Sequence, residues 1–592
     1  MGALMKRCLL SALVAILTLT GNAYGQAPAT PPRTVPRPRT DSELRTRVII
    51  NPVFATGMKC DGTTDDSIAL ITSLAAAAEP GLGNATVIMP PGTCIIDPGV
   101  GVSINTGIWL QGAGRFGTTL KRKNSSTAGP ILIINANGIT LSDFALDGNK
   151  GGPGIAGAGD SVAAGSAISK LTVQRMRFVN STSSDIASYA SGAGAFPTDW
   201  LIADSDFENE GNPFADCGVS FGCANLYIRQ PLRLRIIGNR SDSSQNFALF
   251  SSLPGGGQVE VGENIITNLG GYGVALGGGV LGSAGAHVHD NFMSSSNTDQ
   301  DNLVDLAFWN DFTVDHNVMY HNGGFFSKIG EPSGCIVDYP PATHGVVDSN
   351  ICYSSTISTT NSVGIGLGGS DVTISNNFVQ GANSAGISIA VSFRGPQRGV
   401  KVIGNTTKNN SVSTPGFDAG IELYLDPGTP NLAGLSDVII QGNHSYDDQS
   451  VMTQGYGIGI ALRGNSGPFA NVIIQDNDVM GNLHGGILNN AATPLTGFVI
   501  RNNFGYNPLG AIPSPAFPAT GIALVNNTGF DATVYITSGT NAITIAINGA
   551  TLTGVSVAGG GAVSAPIRLP ANQNITLTYA AGGAPSWQWI AD

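Results

Sequence analysis

The segments VIIQGN (438–443) and VIIQDN (472–477) are two copies of a pattern that recurs through the middle of this chain. Apolar residues alternate within each copy, and each copy ends in asparagine. The other copies are LRIIGN (234–239), VEVGEN (259–264), AHVHDN (286–291), FTVDHN (312–317), GVVDSN (345–350), VTISNN (372–377), VKVIGN (400–405) and FVIRNN (498–503). A repeat every 25 to 38 residues predicts a solenoid, in which each unit stacks on the one before it.

The alternation of apolar residues gives each unit one face that points inward. A second apolar strand follows each asparagine, as in GISI (386–389) and GIEL (420–423), so each coil has at least two strands. We therefore predict an all-β protein, a right-handed parallel β-helix. The asparagines should stack at one bend and pair with backbone groups there. They are Asn239, Asn264, Asn291, Asn317, Asn350, Asn377, Asn405, Asn443, Asn477 and Asn503.

The two ends of the chain differ from this middle region. Residues 1–25 combine Lys6 and Arg7 with a short apolar run, which predicts a signal peptide cleaved near Gly25 and a secreted or periplasmic protein. The apolar run is too short to span a bilayer, and the mature chain contains no transmembrane candidate. Residues 26–46 are a Pro/Arg-rich linker and 47–512 the β-helix. Residues 520–592 predict a small C-terminal β-sandwich, with Trp587 and Trp589 either packed against the helix or stacked on sugars.

Charge and cysteine content narrow the function classes. A net charge of −12 with only 11% charged residues disfavours nucleic-acid binding, which needs clustered Lys and Arg. Six cysteines remain after Cys8 leaves with the signal peptide, and an even number in an exported chain predicts disulfides. Pairing of local neighbours would join Cys60–Cys94, Cys217–Cys223 and Cys335–Cys352, although other connectivities stay open. No C-x-x-C motif supports zinc.

The region upstream of the repeats resembles a known superfamily. MKCDGTTDDSIALITSLAAAA (58–78), ATVIMPPGTCII (85–96), GIWLQGAGRFGTTLKR (107–122) and ITLSDFALDGN (139–149) are similar to the opening of pectate-lyase-like and rhamnogalacturonase/epimerase-like β-helix proteins. The resemblance covers roughly residues 47–510. It implies an N-terminal helical cap, here Asp66 to Ala78. It is specific for the fold and not for the reaction, because this scaffold carries hydrolases, lyases, epimerases and inactive binding proteins.

In these relatives the active groove lies over the GIxL strand. Alignment of the coils places Asp305, Phe326, Gly366, Ser388, Glu422, Gly459 and Leu488 in one outward column. Lys328, Tyr424 and Asn490 belong to the next outward column. Small residues in both columns predict a trough for an extended sugar chain. Asp299, Asp301 and Asp305 are the candidate catalytic carboxylates, with Lys328 about 8 Å from Asp305 on the next coil.

One motif match departs from the polygalacturonase pattern. Those enzymes carry Asn-Thr-Asp, then Gly-Asp-Asp one coil later, then a lysine. This chain has Asn297-Thr298-Asp299 and Lys328, but Asn322-Gly323-Gly324 stands where the paired aspartates belong. The resemblance therefore does not imply the polygalacturonase mechanism.

Two further groups of residues remain candidates. Lys328, Glu422, Tyr424 and Arg463 are candidate substrate contacts, which a lyase or epimerase would also use to bind a uronate. A second patch faces outward from the strands that precede the asparagines. It contains His287, His289, Asp315 and Asp348, and we expect it to be an acid–base or metal site, or a surface ladder.

The sequence favours a secreted glycoside hydrolase that acts on a polysaccharide bound along the β-helix and needs no cofactor for hydrolysis. The first alternative is a polysaccharide lyase or C5-epimerase on a uronate-containing glycan, for which calcium is possible. The second is a non-catalytic carbohydrate-binding or adhesion solenoid. The sequence does not determine whether a metal is bound, nor the oligomeric state.

Overall fold

The computed structural model describes most of the chain after the predicted linker. The described residues are 48–79, 85–125, 129–150, 162–164, 168–181, 184–188, 197–208, 224–252, 256–278, 283–295, 302–307, 309–322, 333–339, 342–354, 362–391, 397–413, 415–425, 434–460, 469–490, 497–506, 510–512, 514–528, 531–580 and 585–591. The predicted signal peptide and the whole of the predicted linker lie outside these ranges.

Successive coils pair in parallel and build three long sheets, which confirms the predicted parallel β-helix. The strand that ends before each asparagine belongs to sheet A. A short strand directly after the asparagine belongs to sheet B, and the GIxL strand belongs to sheet C. A typical coil therefore has three strands.

Within the described residues, sheet A consists of 17 strands, Ile49–Ile50, Thr86–Ile88, Trp109–Gln111, Thr140–Ser142, Thr172–Gln174, Thr198–Ala203, Leu232–Ile237, Gly257–Gly262, Ser283–His289, Trp309–Asp315, Thr343–Asp348, Ser370–Ser375, Gln397–Arg398, Lys401–Ile403, Leu435–Gln441, Phe469–Gln475 and Val499–Arg501. Sheet B, counted in the same way, consists of 14 strands, Asp61–Asp65, Gly92–Ile96, Thr118–Arg122, Ala145–Asp147, Arg177–Val179, Asp206–Glu208, Arg240–Asp242, Ile265–Leu269, Phe292–Ser295, Val318–His321, Ile351–Ser354, Phe378–Gln380, Thr406–Lys408 and His444–Tyr446. Sheet C has 14 strands in the described part of the chain, Ser103–Ile104, Leu132–Ile134, Val162–Ala164, Ile186–Ser188, Ala224–Arg229, Asn246–Ser252, Val274–Gly278, Val304–Ala307, Ser333–Tyr339, Ser362–Leu367, Ile387–Val391, Ala419–Leu425, Tyr456–Ile460 and Gly485–Asn489.

The asparagines form a continuous ladder at the corner between sheets A and B. Oδ1 of Asn264 accepts the backbone N–H of Asn239 at 2.9 Å and its side-chain N–H at 3.0 Å. Nδ2 of Asn264 in turn donates to the carbonyl of Ile236 at 3.0 Å. The same side-chain bond links every rung up to Asn503, and each ladder asparagine is at most 1% exposed. The predicted stack of asparagines is confirmed.

A sharp bend precedes each rung. The residue before the ladder asparagine has a positive φ, for example 59° at Glu263, 52° at Asp290 and 55° at His316. Glycine adopts this left-handed conformation freely, and Asn and Asp adopt it more readily than most residues. This preference explains why several copies of the repeat end in GN, DN or NN.

The interior of the three sheets is one continuous apolar core that extends from Met58 to Ile500. The helix Ser67–Ala77 packs on the N-terminal end of this core through Leu70, Leu74 and Ala77. Asp66 precedes it, and its carboxylate accepts the backbone N–H groups of Lys59 and Cys60. The other helical segments are the α-helix Pro52–Thr56 and the 3-10 turn Pro98–Val100. Within the described residues, no helix combines the length and hydropathy needed to cross a membrane.

Two of the three predicted disulfides are present, Cys60–Cys94 and Cys335–Cys352. The first joins neighbouring coils beside the helical cap. The second joins a strand of sheet C to the following strand of sheet B. Cys217 and Cys223 lie outside the described residues.

Beyond the parallel sheets, the chain forms two antiparallel sheets of four strands each within the described residues. One contains Gly510–Ile512, Ala532–Thr537, Ile567–Leu569 and Ser586–Ala591, and the other Ala523–Val525, Ile543–Ile547, Ala550–Val557 and Asn574–Tyr579. They enclose a separate apolar core in which Trp589 is fully buried. Trp587 packs on Phe517 with the ring centroids 4.6 Å apart and donates from Nε1 to the carbonyl of Pro515. Both tryptophans thus pack within this unit.

Candidate functional site

The outward column of sheet C differs from the predicted column at one coil. Asp305 pairs with Val337, which pairs with Gly366, and the column continues through Ser388 to Glu422. The sequence alignment placed Phe326 opposite Asp305. That register was wrong, because the strand paired with Val304–Ala307 begins only at Ser333.

This column is closed to solvent in the structure. The exposed fraction is 6% at Asp305, 2% at Val337 and 2% at Glu422. In preceding coils the outer face carries the apolar cluster Ala224, Tyr227, Leu249 and Ala275. Small residues do line the column at Gly366 and Ser388, but the described residues do not form an open trough there.

Asp305 is held by a defined set of hydrogen bonds. Nδ2 of Asn302 donates to one carboxylate oxygen at 3.0 Å, and the backbone N–H of Ala307 donates to the other at 3.1 Å. Oδ1 of Asn302 accepts the N–H of Gly334 from the next coil at 3.0 Å, which fixes the amide so that its NH₂ group faces Asp305. These contacts suit an ionised carboxylate.

Asp338 is a buried carboxyl that the sequence pattern did not reveal. It lies between Leu306 and Leu367 in a column that faces the core. One oxygen accepts the N–H groups of Gly368 and Gly369 at the turn of the next coil. Burial raises its pKa to about 7, against the effect of these bonds, and the nearby charge of Asp305 raises it further. An inward carboxyl of this kind supports the turn and does not face a ligand.

Several predicted site residues lie outside the described residues, namely Asp299, Asp301, Lys328 and Arg463. Tyr424 lies on the strand Ala419–Leu425 and pairs with Ala390, but the placement of its side chain is outside the description. Asp305 is itself described, and the position of these residues relative to it stays a prediction.

The histidine and aspartate patch lies on the outer face of sheet A. His289, Asp315 and Asp348 occupy one column on three consecutive coils. Nε2 of His287 contacts Asp315 at 2.7 Å, and the ring of His287 stacks on that of His289 at 4.1 Å. Asp348 accepts side-chain bonds from Ser349, Ser375 and Asn376 and so belongs to a surface ladder.

Hydrogen bonds and ion pairs shift the pKa values of Glu260, Asp315 and His289 in and beside this patch. A hydrogen bond from His289 and the ion pair with Arg235 lower the pKa of Glu260 to about 2, although partial burial opposes the shift. Burial likewise opposes ionisation of Asp315, but bonds from His287 and His316 lower its pKa. Burial lowers the pKa of His289, and the bonds to Glu260 and Asp290 outweigh that effect, so its pKa is raised.

A groove of about 530 Å³ adjoins this patch, a volume within the range of roughly 300–1,000 Å³ that is common for ligand sites. One wall is the column Arg235, Glu260 and His287, which pair on consecutive strands. The other wall follows a column of residues with positive φ at the start of each strand. Those residues are Asp199, Arg233, Gln258, Gly285 and Asp311.

Two ion pairs cross between coils in the groove. Arg233 places Nε and Nη2 on the two oxygens of Asp199 at 2.5 and 3.1 Å. Arg235 contacts both oxygens of Glu260 at 2.5 and 3.3 Å. All four side chains are between 31% and 49% exposed, so a ligand can reach them. The sequence analysis did not select these residues.

The patch is not a preformed metal site. Among the described residues, the one group of three or more His, Cys, Asp or Glu side chains whose ligand atoms lie within 4.8 Å of one another is Cys60, Asp66 and Cys94. Its two cysteines are joined in a disulfide, which leaves no thiolate for a metal.

No protein-family model matches the chain. Over 113 residues it is 37% identical to the pre-neck appendage proteins of Bacillus phages PZA and phi29. The match covers 18% of this chain, and the chain spans only 12% of the length of those curated relatives.

Solved structures of similar shape include three kinds of protein. The mannuronan C-5 epimerase AlgE6 A-module of Azotobacter vinelandii has a TM-score of 0.41 at 15% identity, over 77% of this chain and 99% of its own. The tailspike protein of E. coli bacteriophage HK620, in complex with a pentasaccharide, has a TM-score of 0.48 at 10% identity. The match covers 93% of this chain and 94% of the tailspike chain. The GH87 alpha-1,3-glucanase of Streptomyces thermodiastaticus has a TM-score of 0.40 at 14% identity. The match covers 77% of this chain and 68% of the glucanase chain. Similarity at this level does not identify a substrate, and the strand pairing itself establishes the β-helix.

Proposed function

We propose that this protein is a secreted carbohydrate-active enzyme, a glycoside hydrolase, whose polysaccharide substrate lies in the groove on sheet A. The observation that carries the proposal is the groove itself. It follows the stacked coils, and charged and amide side chains line it on both walls. Sugar hydroxyls both donate and accept hydrogen bonds, so fixed neighbouring donors and acceptors suit an extended glycan.

The charges in the groove support hydrolysis. Cleavage of a glycosidic bond develops positive charge on the sugar ring and needs an ionised carboxylate as well as a proton donor. Glu260 remains ionised because of its low pKa. His287 pairs with Glu260 on the next strand and lines the groove, so it would be the proton donor, whereas His289 contacts Glu260 at 3.4 Å and orients it.

A second set of carboxylates, on sheet C, is the alternative location for the catalytic residues of the proposed hydrolase. Asp299, Asp301 and Asp305 would act on sheet C, with Lys328, Glu422, Tyr424 and Arg463 as substrate contacts. The fixed geometry of Asp305 supports this set, whereas its burial requires that substrate first gain access to it. We rank it below the groove.

The pair formed by His287 and Asp315 favours a different reaction. A histidine oriented by a carboxylate at 2.7 Å is a suitable base for removing a proton from a sugar carbon. A lyase or epimerase that acts on a uronate-containing glycan would use it, with calcium as a possible cofactor. A non-catalytic adhesion solenoid is the third candidate, which the name of the phage appendage relatives supports.

The product of the reaction tests these candidates. The full-length protein is incubated with a panel of plant and bacterial polysaccharides, and new reducing ends and ultraviolet absorbance are measured together. Hydrolysis gives reducing ends without absorbance, whereas elimination gives an unsaturated, absorbing product. Absorbance that rises in step with the reducing ends would replace the hydrolase proposal with the lyase. A C5-epimerase gives neither reducing ends nor absorbance, so the uronate stereochemistry of the polymer is also measured by NMR. Binding without cleavage and without a change in that stereochemistry would favour the adhesion solenoid.

A further inference from the structure

The charges that line the groove on sheet A point to the class of glycan it accepts. We infer that the groove selects a neutral polysaccharide and discriminates against polyuronates, because each of its arginines already holds a carboxylate of the protein. This inference rests on the proposed function, since it takes the groove to be the glycan site.

The geometry of the arginines carries the inference. A guanidinium binds a carboxylate best through two adjacent N–H groups that meet its two oxygens. In Arg233 and Arg235 these are Nε and Nη2, and Asp199 and Glu260 occupy them in that way. A uronate carboxylate would have to displace an internal partner that the register of the coils holds in place.

The sum of charges leads to the same conclusion. The ionised groups that line the groove are Asp199, Glu260 and Asp311 against Arg233 and Arg235, which leaves one net negative charge. The hydrogen bond from Arg233 lowers the pKa of Asp199, as His289 and Arg235 do for Glu260, so these carboxylates stay charged in mildly acidic solution.

The histidines near the groove add little free positive charge. His287 lines the groove and contacts Asp315, which His316 also contacts. His289 lies between Glu260 and Asp290. His344 lies 3.6 Å from Asp311. Each histidine near the groove thus has a carboxylate beside it, and protonation of any of them creates an ion pair inside the protein.

A neutral sugar makes better use of the groove. The arginine N–H groups that do not face Asp199 or Glu260 can donate to sugar hydroxyls, and the carboxylate oxygens can accept from them. The ion pairs remain intact and act as rigid donors and acceptors. Elimination requires a uronate, so this selectivity also favours hydrolysis over the lyase alternative.

The test uses the full-length protein in affinity electrophoresis through gels that contain either polygalacturonate or one of several neutral glucans, galactans and mannans. The wild type should be retarded by at least one neutral glycan and not by polygalacturonate. The double variant Asp199→Asn/Glu260→Gln should gain at least about tenfold in affinity for polygalacturonate, and added salt should weaken that binding.

A matched control is Asp143→Asn. It releases Arg175, which contacts both oxygens of Asp143 at 2.7 and 2.8 Å but does not line the groove. This variant should gain no affinity for polygalacturonate. If the double variant does not fold, the single variants Asp199→Asn and Glu260→Gln test the same inference. Each should gain affinity for polygalacturonate, by less than the double variant.

Two results would overturn the inference. One is that the wild type binds polygalacturonate more tightly than every neutral glycan. This result would contradict the inferred selectivity but not the proposal that the groove binds a glycan. The other is a set of groove variants that gain no more than Asp143→Asn. If the wild type binds no glycan of either kind, the proposed function fails and the inference fails with it.

Discussion

Sheets A and C are built from the same coils, yet their outer faces have opposite characters. On sheet C the outward column is buried, and apolar side chains such as Tyr227, Leu249 and Val337 lie in the same column as Asp305. On sheet A the outward column is open and charged, and Arg235, Glu260 and His287 line a groove. The position of a strand in a β-helix therefore does not by itself determine which outer face is open to solvent.

The largest expected effect is on stability and depends on the closure of sheet C. Val337→Asp would bury a second carboxylate directly opposite Asp305 and close to Asp338. We expect the free energy of unfolding to fall by about 4 kcal/mol, because an unpaired charge is buried. Urea unfolding followed by circular dichroism measures it.

The control for this change lies on sheet A. Thr313→Asp adds the same charge on the open face, on the strand next to His287. We expect it to alter the unfolding free energy by no more than about 0.5 kcal/mol. Equal losses for the two variants would show that the two faces do not differ in burial.

An effect that is smaller for each pH unit is expected from the titration of Asp338. The pKa of Asp338 is about 7 in the folded protein, whereas its ordinary value is 3.8. The folded protein therefore favours the protonated carboxyl, and the stability present below pH 3.8 is lost as the pH rises to about 7. Asp338→Asn does not titrate. The variant should therefore gain stability relative to wild type across this window, by at most about 1.4 kcal/mol per pH unit.

Unfolding curves of both proteins from pH 4 to pH 8 measure this gain. The isosteric amide keeps an oxygen for the N–H groups of Gly368 and Gly369. A difference between the two proteins that stays constant with pH would show that Asp338 is ionised in the folded protein.

The smallest expected effect concerns His289 on the open face. Its pKa is raised in the folded protein, so its contacts with Glu260 and Asp290 stabilise the fold below pH 6.5 and the contribution is lost as the pH rises through the raised pKa. His289→Gln should be less stable than wild type by under about 1 kcal/mol at pH 5, as is usual for partly exposed pairs.

The difference should vanish in alkaline solution, where wild-type His289 is neutral. Thermal unfolding of both proteins at the two pH values checks this. A stability loss that grows with pH would contradict the protonated state of His289.

The fold was predictable because the ladder requires the same residue type in each of the ten coils from Asn239 to Asn503. A buried corner needs a side chain that both donates and accepts, and asparagine supplies both groups. The predicted register of sheet C was wrong at the coil after Asp305, because the number of residues between Tyr320 and Ser333 differs from the spacing in the other coils. Asp338 was missed because a polar residue at a core position contradicts the alternation of the repeat.

The residues of one groove wall could have been predicted by aligning the coils on the ladder asparagines. Arg235, Glu260 and His287 each stand four residues before a ladder asparagine, and alignment on those asparagines places them in one column. Local alternation shows that Asp305 points outward but not whether that outer face is covered.

The most direct test of the account is to measure kcat/KM of two variants on the same polysaccharide. Glu260→Gln should lower it by about 10²-fold, and Asp305→Asn should leave it within about threefold of wild type. Glu208→Gln is the matched control, because Glu208 holds Arg177 at 2.7 Å on sheet B, outside the groove, and it should have no effect. A loss with Asp305→Asn and none with Glu260→Gln would place the chemistry on sheet C and contradict the account.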